Sequence, residues 1–440
     1  MTNLPHVVIV GAGFAGIAAA RVLAKAGSRV TLIDQHPYNT FQPLLYQVAT
    51  GGLNPGDITY PLRTLVAKMH GRLRVRRSKV TEVRPDQNEV VCEDGATIGY
   101  DHLIIGIGVK ANFFGIPGAE EYAMTLYTRA EALRVRDTMF GGLERLAASP
   151  DAGSREFRTV VVGGGPTGVE MAGTLAEMRD VALPRSFPEL DHDKVHVTLV
   201  EMAPQLLSPF HKNLQRYALE QMAKRGVDVR LDTAISEVEP GRVQFKSGEC
   251  LQADLVVWAG GVAGYRKVGR WGLETGKGGR IVVGEDLRAV GQDNVWAVGD
   301  AAISDHEPLP QLAQPALQMG KHAAHQILRL EQGQPTETFT YRDLGSMATI
   351  GQASAVVEFP NGARFTGLIA WVLWIFVHLM NLLGGRNRVM TFMNLAARYL
   401  AFRRTGGIVG DVRDPIGARE ETQPVNVQTD DVVNEDAEHA

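Results

Sequence analysis

A glycine-rich turn near the start of the chain has the spacing that binds the pyrophosphate of a dinucleotide. Gly11, Gly13 and Gly16 form a G-x-G-x-x-G run directly after the apolar stretch 6–10. Gly11 allows a tight bend, Gly13 lets the backbone reach the phosphates at the positive end of the next helix, and Gly16 allows close packing of helix on strand. Asp34 follows eighteen residues after Gly16, where a carboxylate can accept hydrogen bonds from ribose hydroxyls. We therefore predict a strand, turn, helix and strand that bind an adenosine dinucleotide.

The same pattern occurs a second time. Gly163, Gly165 and Gly168 form another G-x-G-x-x-G run, and Glu201 ends the strand predicted after its helix. Three later residues also recur with a constant displacement of 153, because Gly95, Asp101 and Gly108 have counterparts at Gly248, Asp254 and Gly261. A duplicated dinucleotide-binding unit explains this register, so two adenosine-bearing ligands are predicted.

Length and composition narrow the class of protein. At 440 residues the chain is too long for one hydrophobic core, so two or three domains are expected. A net charge of −4 argues against nucleic-acid binding, which needs a concentrated basic surface. The first predicted strand begins within about five residues of the start, which leaves no room for a signal or transit peptide and predicts a cytoplasmic location.

The two cysteines do not suggest metal or redox chemistry. Cys92 and Cys250 are far apart in the sequence and form no C-x-x-C pair, so neither a metal site nor a redox disulfide is predicted. Both fall in predicted hairpins at equivalent positions of the repeat, where we expect small buried side chains.

A third signature, NVWAVGDAA at residues 294–302, reads as a buried strand that ends in Gly299 and Asp300. The three signatures together resemble the flavoprotein family with two dinucleotide-binding domains, in which the first unit holds FAD and the second holds NAD(P)H. The resemblance covers roughly residues 6–330. It implies an α/β fold of two Rossmann-like domains, with a discontinuous FAD domain, an inserted NAD domain and an Asp300 that bonds the ribityl and phosphate region of FAD. One departure is Gly106-Ile107-Gly108, where the family has Ala-Thr-Gly.

The branches of this family differ in where the flavin electrons go. Disulfide reductases and related peroxidases need a cysteine near the flavin, but the stretch 41–46 after the first acid reads FQPLLY and has no sulfur. Residues 313–318, AQPALQ, resemble the A-Q-x-A-x-Q motif of type II NADH dehydrogenases, the single-subunit NADH:quinone oxidoreductases. The resemblance implies that Gln314 and Gln318 flank a quinone pocket beside the flavin. The alternative is that the two amides cap backbone groups at the start of a helix.

Two glutamates accompany the second glycine turn. Glu170 lies on the helix that follows the turn, and the resemblance implies a position near flavin and nicotinamide, on a proton route to the quinone. The alternative is a first-turn glutamate that is favoured by the helix dipole. Glu201 can bond ribose hydroxyls and repels a 2′-phosphate, so NADH is predicted over NADPH.

The resemblance implies a complete set of site residues, with no metal site. The catalytic residues are Glu170, Gln314 and Gln318. The FAD contacts are Gly11, Gly13, Phe14, Ala15, Gly16, Asp34, Gln42, Val80, Gly108, Asp300 and Ala313. The NADH contacts are Gly163, Gly165, Thr167, Gly168, Glu170, Glu201, Gly260 and Gly261.

The last hundred residues predict strands over 338–359 and then two unusual helices. Residues 367–383 are apolar on nearly every face but are interrupted by His378 and Asn381, and seventeen residues are too few for a spanning helix. The next helix places Val389, Phe392, Met393, Ala396 and Leu400 on one side and Thr391, Asn394 and Arg398 on the other.

Charge suggests where these two helices lie. Residues 361–405 contain six arginines and no acid, at positions 364, 386, 388, 398, 403 and 404. This composition predicts helices that lie in the interface of an anionic membrane, with these arginines at headgroups and Trp371 and Trp374 at the interface. A buried core or dimer helix is the alternative. Residues 411–440 carry nine acids and predict a disordered tail.

These observations lead to one hypothesis. The chain is expected to be a peripheral, non-pumping NADH:quinone oxidoreductase on the cytoplasmic face of the cell membrane, with menaquinone or ubiquinone as acceptor. Partners considered are the anionic membrane surface and a second copy of the chain; nucleic acid is not expected. The predicted segments are 1–118 and 263–330 for FAD, 119–262 for NADH, 331–410 for the C-terminal strands and membrane helices, and 411–440 for the tail. The rival hypotheses are an NADH-dependent reductase of a small electron-carrier protein and a flavin redox sensor.

Overall fold

The computed structural model describes residues 5–69, 71–304, 306 and 309–402, without the side chains of residues 400–402. The predicted tail 411–440 and the side chains of Arg403 and Arg404 lie outside the described residues.

Short strands alternate with turns along most of the described chain. The strands are β1 (His6–Val10), β2 (Arg29–Asp34), β3 (Tyr38–Thr40), β4 (Thr59–Pro61), β5 (Leu73–Arg77), β6 (Val80–Arg84), β7 (Glu89–Cys92), β8 (Thr97–Gly99), β9 (His102–Ile105), β10 (Lys110–Ala111), β11 (Met124–Thr125), β12 (Phe157–Val162), β13 (Val195–Val200), β14 (Asp228–Arg230), β15 (Ile235–Glu239), β16 (Arg242–Phe245), β17 (Cys250–Gln252), β18 (Leu255–Trp258), β19 (Val262–Ala263), β20 (Ile281–Val282), β21 (Val295–Ala297), β22 (Ala302–Ile303), β23 (Ser346–Gly351), β24 (Ser354–Glu358) and β25 (Arg364–Thr366).

The helices cover these strands and form most of the C-terminal part. They are α1 (Phe14–Ala26), α2 (Leu45–Ala49), α3 (Leu62–Ala67), α4 (Ala119–Tyr122), α5 (Arg129–Ala147), α6 (Pro166–Glu177), α7 (Leu183–Ser186), α8 (Lys212–Lys224), α9 (Ala313–Glu331), α10 (Gly367–Asn381) and α11 (Gly385–Ala396), followed by a wider helical turn over Ala397–Phe402.

Two parallel five-stranded sheets organise the fold. The first has the order β21-β9-β1-β2-β5, so a strand from late in the chain completes the sheet that the first glycine turn begins. The second has the order β11-β18-β12-β13-β14, and all its strands come from the intervening sequence. The central strands β1, β9 and β18 are mostly apolar and almost entirely buried, as is typical of parallel sheets. The predicted α/β fold, with a discontinuous first unit and an inserted second one, is confirmed.

The repeat seen in the sequence is also visible in the structure. A three-stranded antiparallel sheet accompanies each unit, β6-β7-β8 in the first and β15-β16-β17 in the second. Asp101 accepts a hydrogen bond from the backbone N–H of His6 at 2.6 Å, and Asp254 accepts one from Arg158 at 2.7 Å. The equivalent residues Asp101 and Asp254 therefore bind the backbone of the equivalent strands β1 and β12.

The prediction for the cysteines is only half right. Cys92 is buried on β7, the middle strand of its small sheet. Cys250 is exposed on β17, an outer strand, so the two residues are not at equivalent positions. The register of the repeat pairs Cys250 with a residue of β8 rather than of β7, which explains the difference.

The C-terminal part packs against the second unit. β23, β24 and β25 form an antiparallel sheet, and β23 lies against α6. Gly173 on α6 makes this close approach possible, because a Cβ there would lie 2.1 Å from the carbonyl oxygen of Ile350. α10 then covers the sheet, and its Trp374 is buried rather than at an interface as predicted. Trp371 is partly buried against Tyr399.

The orientation of α11 corrects another prediction. Its apolar residues Phe392 and Met393 are 54% and 56% exposed, while its polar side faces inward. Asn394 donates to the Asp57 carboxylate at 2.5 Å. Arg398, predicted to contact headgroups, is instead buried just after α11, where polar groups of the two dinucleotide-binding units pair with it.

Two of these partners hold the Arg398 guanidinium. It donates to the side-chain oxygen of Gln47 on α2 and lies 3.2 Å from the Glu177 carboxylate at the end of α6. The side chains of the ion pair are only 8% and 12% exposed. Arg398 therefore ties the C-terminal helices to both dinucleotide-binding units.

Replacing Arg398 by alanine should lower the free energy of unfolding by about 3–5 kcal/mol, because the Glu177 carboxylate would stay buried without its partner. Arg364→Ala is the matched control, since Arg364 pairs with Glu358 near the surface and such a pair contributes about 1 kcal/mol or less. Thermal and urea unfolding measure both changes. Equal destabilisation by the two substitutions would contradict the tying role of Arg398.

Candidate dinucleotide and electron-transfer site

The first glycine turn has the geometry of a phosphate cradle. Gly11 has φ +102°, and a Cβ there would lie 2.3 Å from the carbonyl oxygen of Gly106. A Cβ on Gly16 would lie 1.8 Å from the carbonyl oxygen of Gly11, so α1 sits directly on the strand end. Gly13 precedes α1 with open space around it, and no side chain caps the helix. The uncapped N–H groups and the open space fit a pyrophosphate.

The second turn repeats this geometry. Gly163 has φ +107°, and a Cβ on Gly168 would again lie 1.8 Å from the preceding turn carbonyl. Gly165 has open space and leaves α6 uncapped by a side chain. Thr167 is exposed in the first turn of α6. The residues of this unit therefore also fit a dinucleotide.

The acid of each unit is held in the same way. Asp34 accepts from the N–H groups of Ala12 and His36, both at 2.7 Å, and burial raises its pKa. Glu201 accepts from Gly164 at 2.5 Å and from Ala203 at 2.7 Å. Each carboxylate therefore braces its glycine turn, and each oxygen keeps a further lone pair for a ribose hydroxyl.

Tyr127 brings together several residues predicted to contact FAD. Its hydroxyl donates to the Asp300 carboxylate at 3.4 Å, and its carbonyl accepts from the Gln42 amide at 3.2 Å. Gly108, with φ +67°, lies beside the same hydroxyl. Burial raises the pKa of Asp300 to about 6, although Tyr127 and Arg280 oppose the shift. No motif in the sequence signals Tyr127, which only the fold brings here.

The other predicted FAD contacts lie around this centre. Phe14 meets Phe41 edge to face with ring centroids 5.7 Å apart. Ala15 is buried where α9 crosses α1. The two helices are so close at this point that a Cβ on Gly320 would lie 2.2 Å from the carbonyl oxygen of Ala15. Val80 is buried, and its carbonyl accepts from the Lys267 ammonium at 2.9 Å. Ala313 begins α9.

The two glutamines of α9 differ. The Gln318 amide donates to the Arg342 carbonyl at 2.9 Å and accepts from the Arg342 N–H at 3.0 Å, so it holds the backbone of a remote segment and does not cap the start of α9. Gln314 is partly buried, and its amide has no hydrogen-bond partner among the described residues. Of the pair, Gln314 is the one with an amide free to bind a ligand.

Glu170 lies in the second turn of α6, so a first-turn helix dipole does not explain it. Its carboxyl is buried beneath the C-terminal part and accepts from the Thr349 N–H at 3.3 Å. Burial raises its pKa to about 8, and the hydrogen bond from Thr349 and the nearby Trp374 indole N–H oppose this shift. Tyr46 on α2 is close enough for Glu170 to raise its pKa. Neither Thr349 nor Trp374 could be found from local sequence, because both come from remote segments.

The predicted strand-end contacts to NADH lie at the end of β18. Gly261 has φ +137°, and a Cβ there would lie 3.0 Å from the Phe114 ring. Gly260 packs beside the Trp258 indole. Trp258 itself is buried, and its N–H donates to the Asn112 carbonyl at 2.9 Å. Phe114 is 60% exposed at this edge and was missed by the sequence analysis.

Comparison with known proteins agrees with this architecture. The family model described as pyridine nucleotide-disulphide oxidoreductase matches residues 5–320, which defines the class of flavoprotein. The model described as NDH2 C-terminal domain matches residues 344–404. The type II NADH:quinone oxidoreductase Ndh of Mycobacterium tuberculosis is 34% identical, over 91% of this chain and 89% of that protein. The corresponding protein of Staphylococcus aureus is 31% identical, over 80% of this chain and 88% of that protein.

With this identity and coverage, the chain belongs to the type II NADH:quinone oxidoreductase family. Solved structures share the fold at lower identity. NDH2 from Plasmodium falciparum in complex with NADH is 20% identical with a TM-score of 0.84, and covers 91% of this chain and 99% of that one. The sulfide:quinone oxidoreductase of Aquifex aeolicus is 22% identical with a TM-score of 0.72, and covers 94% and 99%.

Glu170 should make stability depend on pH. Its folded pKa of about 8 lies above the ordinary value of 4.5, so the folded state binds the extra proton between these values. The free energy of unfolding should therefore fall as pH rises through this window, by on the order of 4 kcal/mol. Glu170→Gln should remove this part of the slope in urea unfolding at several pH values. Glu189→Gln, at an exposed position, should leave the slope unchanged.

Glu201 should set the choice between NADH and NADPH. Glu201→Gln removes the charge that repels a 2′-phosphate but keeps an acceptor for the Gly164 N–H. The ratio of kcat/KM for NADH to kcat/KM for NADPH should therefore fall by about tenfold or more, which corresponds to about 1–3 kcal/mol. Glu201→Ala also removes the brace on the turn and should weaken both nucleotides. Steady-state kcat/KM for each nucleotide measures this. A native protein that uses NADPH as well as NADH would refute the assignment.

Proposed function

We propose that the chain oxidises NADH and reduces a membrane quinone through bound FAD. The observation that carries this proposal is the pairing of two phosphate cradles with the free amide of Gln314, beyond the Asp300 turn. The named activity of the relatives supports it. FAD, when bound, takes a hydride from nicotinamide and passes electrons to the quinone.

Different glycine turns and acids bind FAD and NADH. The turn of Gly11, Gly13 and Gly16 with Asp34 binds the FAD adenosine and pyrophosphate, and Asp300 orients the ribityl region. The turn at residues 163–168 with Glu201 binds NADH. These roles correspond to an FAD domain of residues 1–118 and 263–330 around an NADH domain of residues 119–262.

On the quinone side, the Gln314 amide donates to a quinone carbonyl. The role proposed for Gln318 is indirect, because it holds the Arg342 backbone in place. Glu170 stays protonated at neutral pH and holds a proton close to the site, since its pKa is about 8.

The membrane surface is the proposed source of quinone. No helix among the described residues is long and apolar enough to cross a membrane. α10 and α11 nevertheless expose a set of large apolar side chains on their outer sides: Leu368, Ile369, Val372, Phe376, Met380, Val389, Phe392 and Met393. Arg386 and Arg388 are exposed in the first turn of α11. This surface suits the interface of an anionic bilayer on the cytoplasmic side.

Replacing Gln314 by leucine should slow the reoxidation of the flavin by a short-chain quinone by about tenfold, because one hydrogen bond to the carbonyl is lost. Anaerobic reduction of the flavin by NADH should be nearly unchanged, since nicotinamide and quinone use different faces of the ring. Stopped-flow spectroscopy separates the two half-reactions. Equal loss in both would point to a damaged flavin site instead.

Charge on the exposed apolar surface should weaken membrane binding. The double substitution Phe392→Glu and Met393→Glu should abolish co-sedimentation with vesicles of anionic and zwitterionic lipid, because two carboxylates would enter the interface. Val290→Glu, at an exposed apolar position away from α10 and α11, is the control. High salt should reduce wild-type binding without complete release.

The same double variant tests the alternative of a dimer. The surface would be assigned to a second copy of the chain if the wild-type protein did not bind vesicles and formed a dimer that the double substitution dissociated in sedimentation experiments.

The rival hypotheses for the function predict different results in activity measurements. A carrier-protein reductase would prefer a protein acceptor, and a redox sensor would turn over slowly with every quinone.

A further inference from the structure

His378 interrupts the apolar run of α10, and none of the roles proposed above uses it. Its Nδ1 lies 2.7 Å from the carbonyl oxygen of Trp374. A carbonyl can only accept, so Nδ1 carries the hydrogen and Nε2 of the neutral ring keeps a free lone pair. The backbone of α10 thus fixes which nitrogen is available for chemistry.

Two aromatic rings hold the imidazole in place. Trp374 stacks on it with centroids 4.0 Å apart, and Phe41 meets it edge to face at 6.2 Å. Phe41 in turn contacts Phe14, which follows Gly13 in the first glycine turn. The ring therefore has a defined orientation at the end of an aromatic row that begins at the first dinucleotide turn.

Nε2 of the partly buried imidazole keeps some access to solvent. It has no hydrogen-bond partner among the described residues, and it is not one of the polar atoms sealed from solvent. Phe376 and Met380, two residues to either side on α10, are 61% and 47% exposed. Residues two positions apart lie on opposite sides of a helix, so these two side chains mark the outer surface of α10, while the imidazole faces inward toward Phe41 and Trp374. A quinone bound between α10 and Phe41 would contact the imidazole.

We propose that His378 is a catalytic residue whose Nε2 delivers a proton to a quinone oxygen during reduction. The inference rests on the proposed function. Conversion of quinone to quinol needs two electrons and two protons. The hydride that reaches the quinone brings both electrons and one proton, so one further proton must reach the resulting oxyanion. Nε2 takes this proton from solvent water, which leaves hydroxide in the solvent, and gives it to the quinone oxyanion, so His378 ends neutral.

The surroundings of His378 suit transient protonation. Burial lowers its pKa to about 4, so the resting ring is neutral and the protonated ring is a strong acid. Glu170 on α6 and Tyr46 on α2 lie beside Trp374, which stacks on His378, and burial raises the pKa of both, so both are largely neutral at neutral pH. The charged groups on the elements packed against α10 are the ion pair of Glu358 and Arg364 on β24 and β25, and Arg386 and Arg388 on α11. Nε2 is therefore protonated as negative charge develops on the quinone, and the imidazole does not hold this proton in the resting protein.

The test uses the FAD-loaded full-length protein and anaerobic stopped-flow spectroscopy. His378→Phe should slow flavin reoxidation by a short-chain benzoquinone by about 100-fold or more, as loss of a general acid does. Flavin reduction by NADH should be unchanged, and so should reoxidation by ferricyanide, which takes electrons without a proton. Asn381→Leu is the matched control, because Asn381 also bonds the carbonyl four residues earlier on α10, at 2.8 Å. This variant should behave like wild type with both acceptors.

Each other outcome has a definite meaning. Equal loss with benzoquinone and ferricyanide would show that His378 only supports the fold, and unchanged benzoquinone rates would also overturn the inference. Wild-type flavin that benzoquinone fails to reoxidise would instead overturn the proposed function itself. His378→Gln covers the case in which the phenylalanine variant misfolds, because glutamine keeps a polar group but cannot deliver a proton.

The dependence on pH gives an independent readout. Wild-type reoxidation by benzoquinone should accelerate as pH falls toward about 5, because protonation of Nε2 becomes easier. This acceleration should be absent in His378→Gln and retained in Asn381→Leu, the matched control on α10. Loss of the acceleration in Glu170→Gln but not in His378→Gln would assign the proton to Glu170.

Discussion

Close backbone approach at glycines is the constraint on which the arrangement of this molecule depends. α1 rests on its sheet because Gly16 lies against the carbonyl of Gly11, and α9 crosses α1 because Gly320 lies against the carbonyl of Ala15. The second crossing brings the start of α9, with Gln314, over the Asp300 turn. At each point a Cβ would overlap backbone atoms, which cannot move aside as a flexible side chain can. The site is therefore positioned by main chain packed on main chain.

The C-terminal part completes the site from outside. β23 packs closely on α6 at Gly173, and the same packing brings the Thr349 N–H to the Glu170 carboxyl. α10 then covers the carboxyl with Trp374. α11 has the reverse polarity of an ordinary surface helix, because Asn394 and, just after the helix, Arg398 face inward, while Phe392 and Met393 face out. Exposed apolar surfaces of this kind are typical of interaction sites.

The sequence predicted what local spacing determines and failed where remote segments meet. The two glycine turns and the acids after their strands were predicted correctly as structural units, because each lies within one strand, turn, helix and strand. The burial of Arg398 could not be predicted, because its partners Gln47 and Glu177 are more than 200 positions away in the sequence and belong to the two dinucleotide-binding units. Gln318 shows the same limit, because the spacing of a motif does not reveal that Arg342 occupies its amide.

Burial of Glu170 and His378 in one apolar layer has a common consequence for charge. A low-dielectric environment favours the neutral form of every titratable group, so it raises the pKa of the acid to about 8 and lowers that of the base to about 4. At neutral pH the carboxyl keeps its proton and the imidazole lacks one, and neither carries charge. A neutral quinone can therefore approach from an apolar surface without meeting a fixed charge near these groups. Negative charge then develops on the quinone oxygen only as electrons reach the quinone, and a proton that moves with the electrons stabilises this oxygen most strongly.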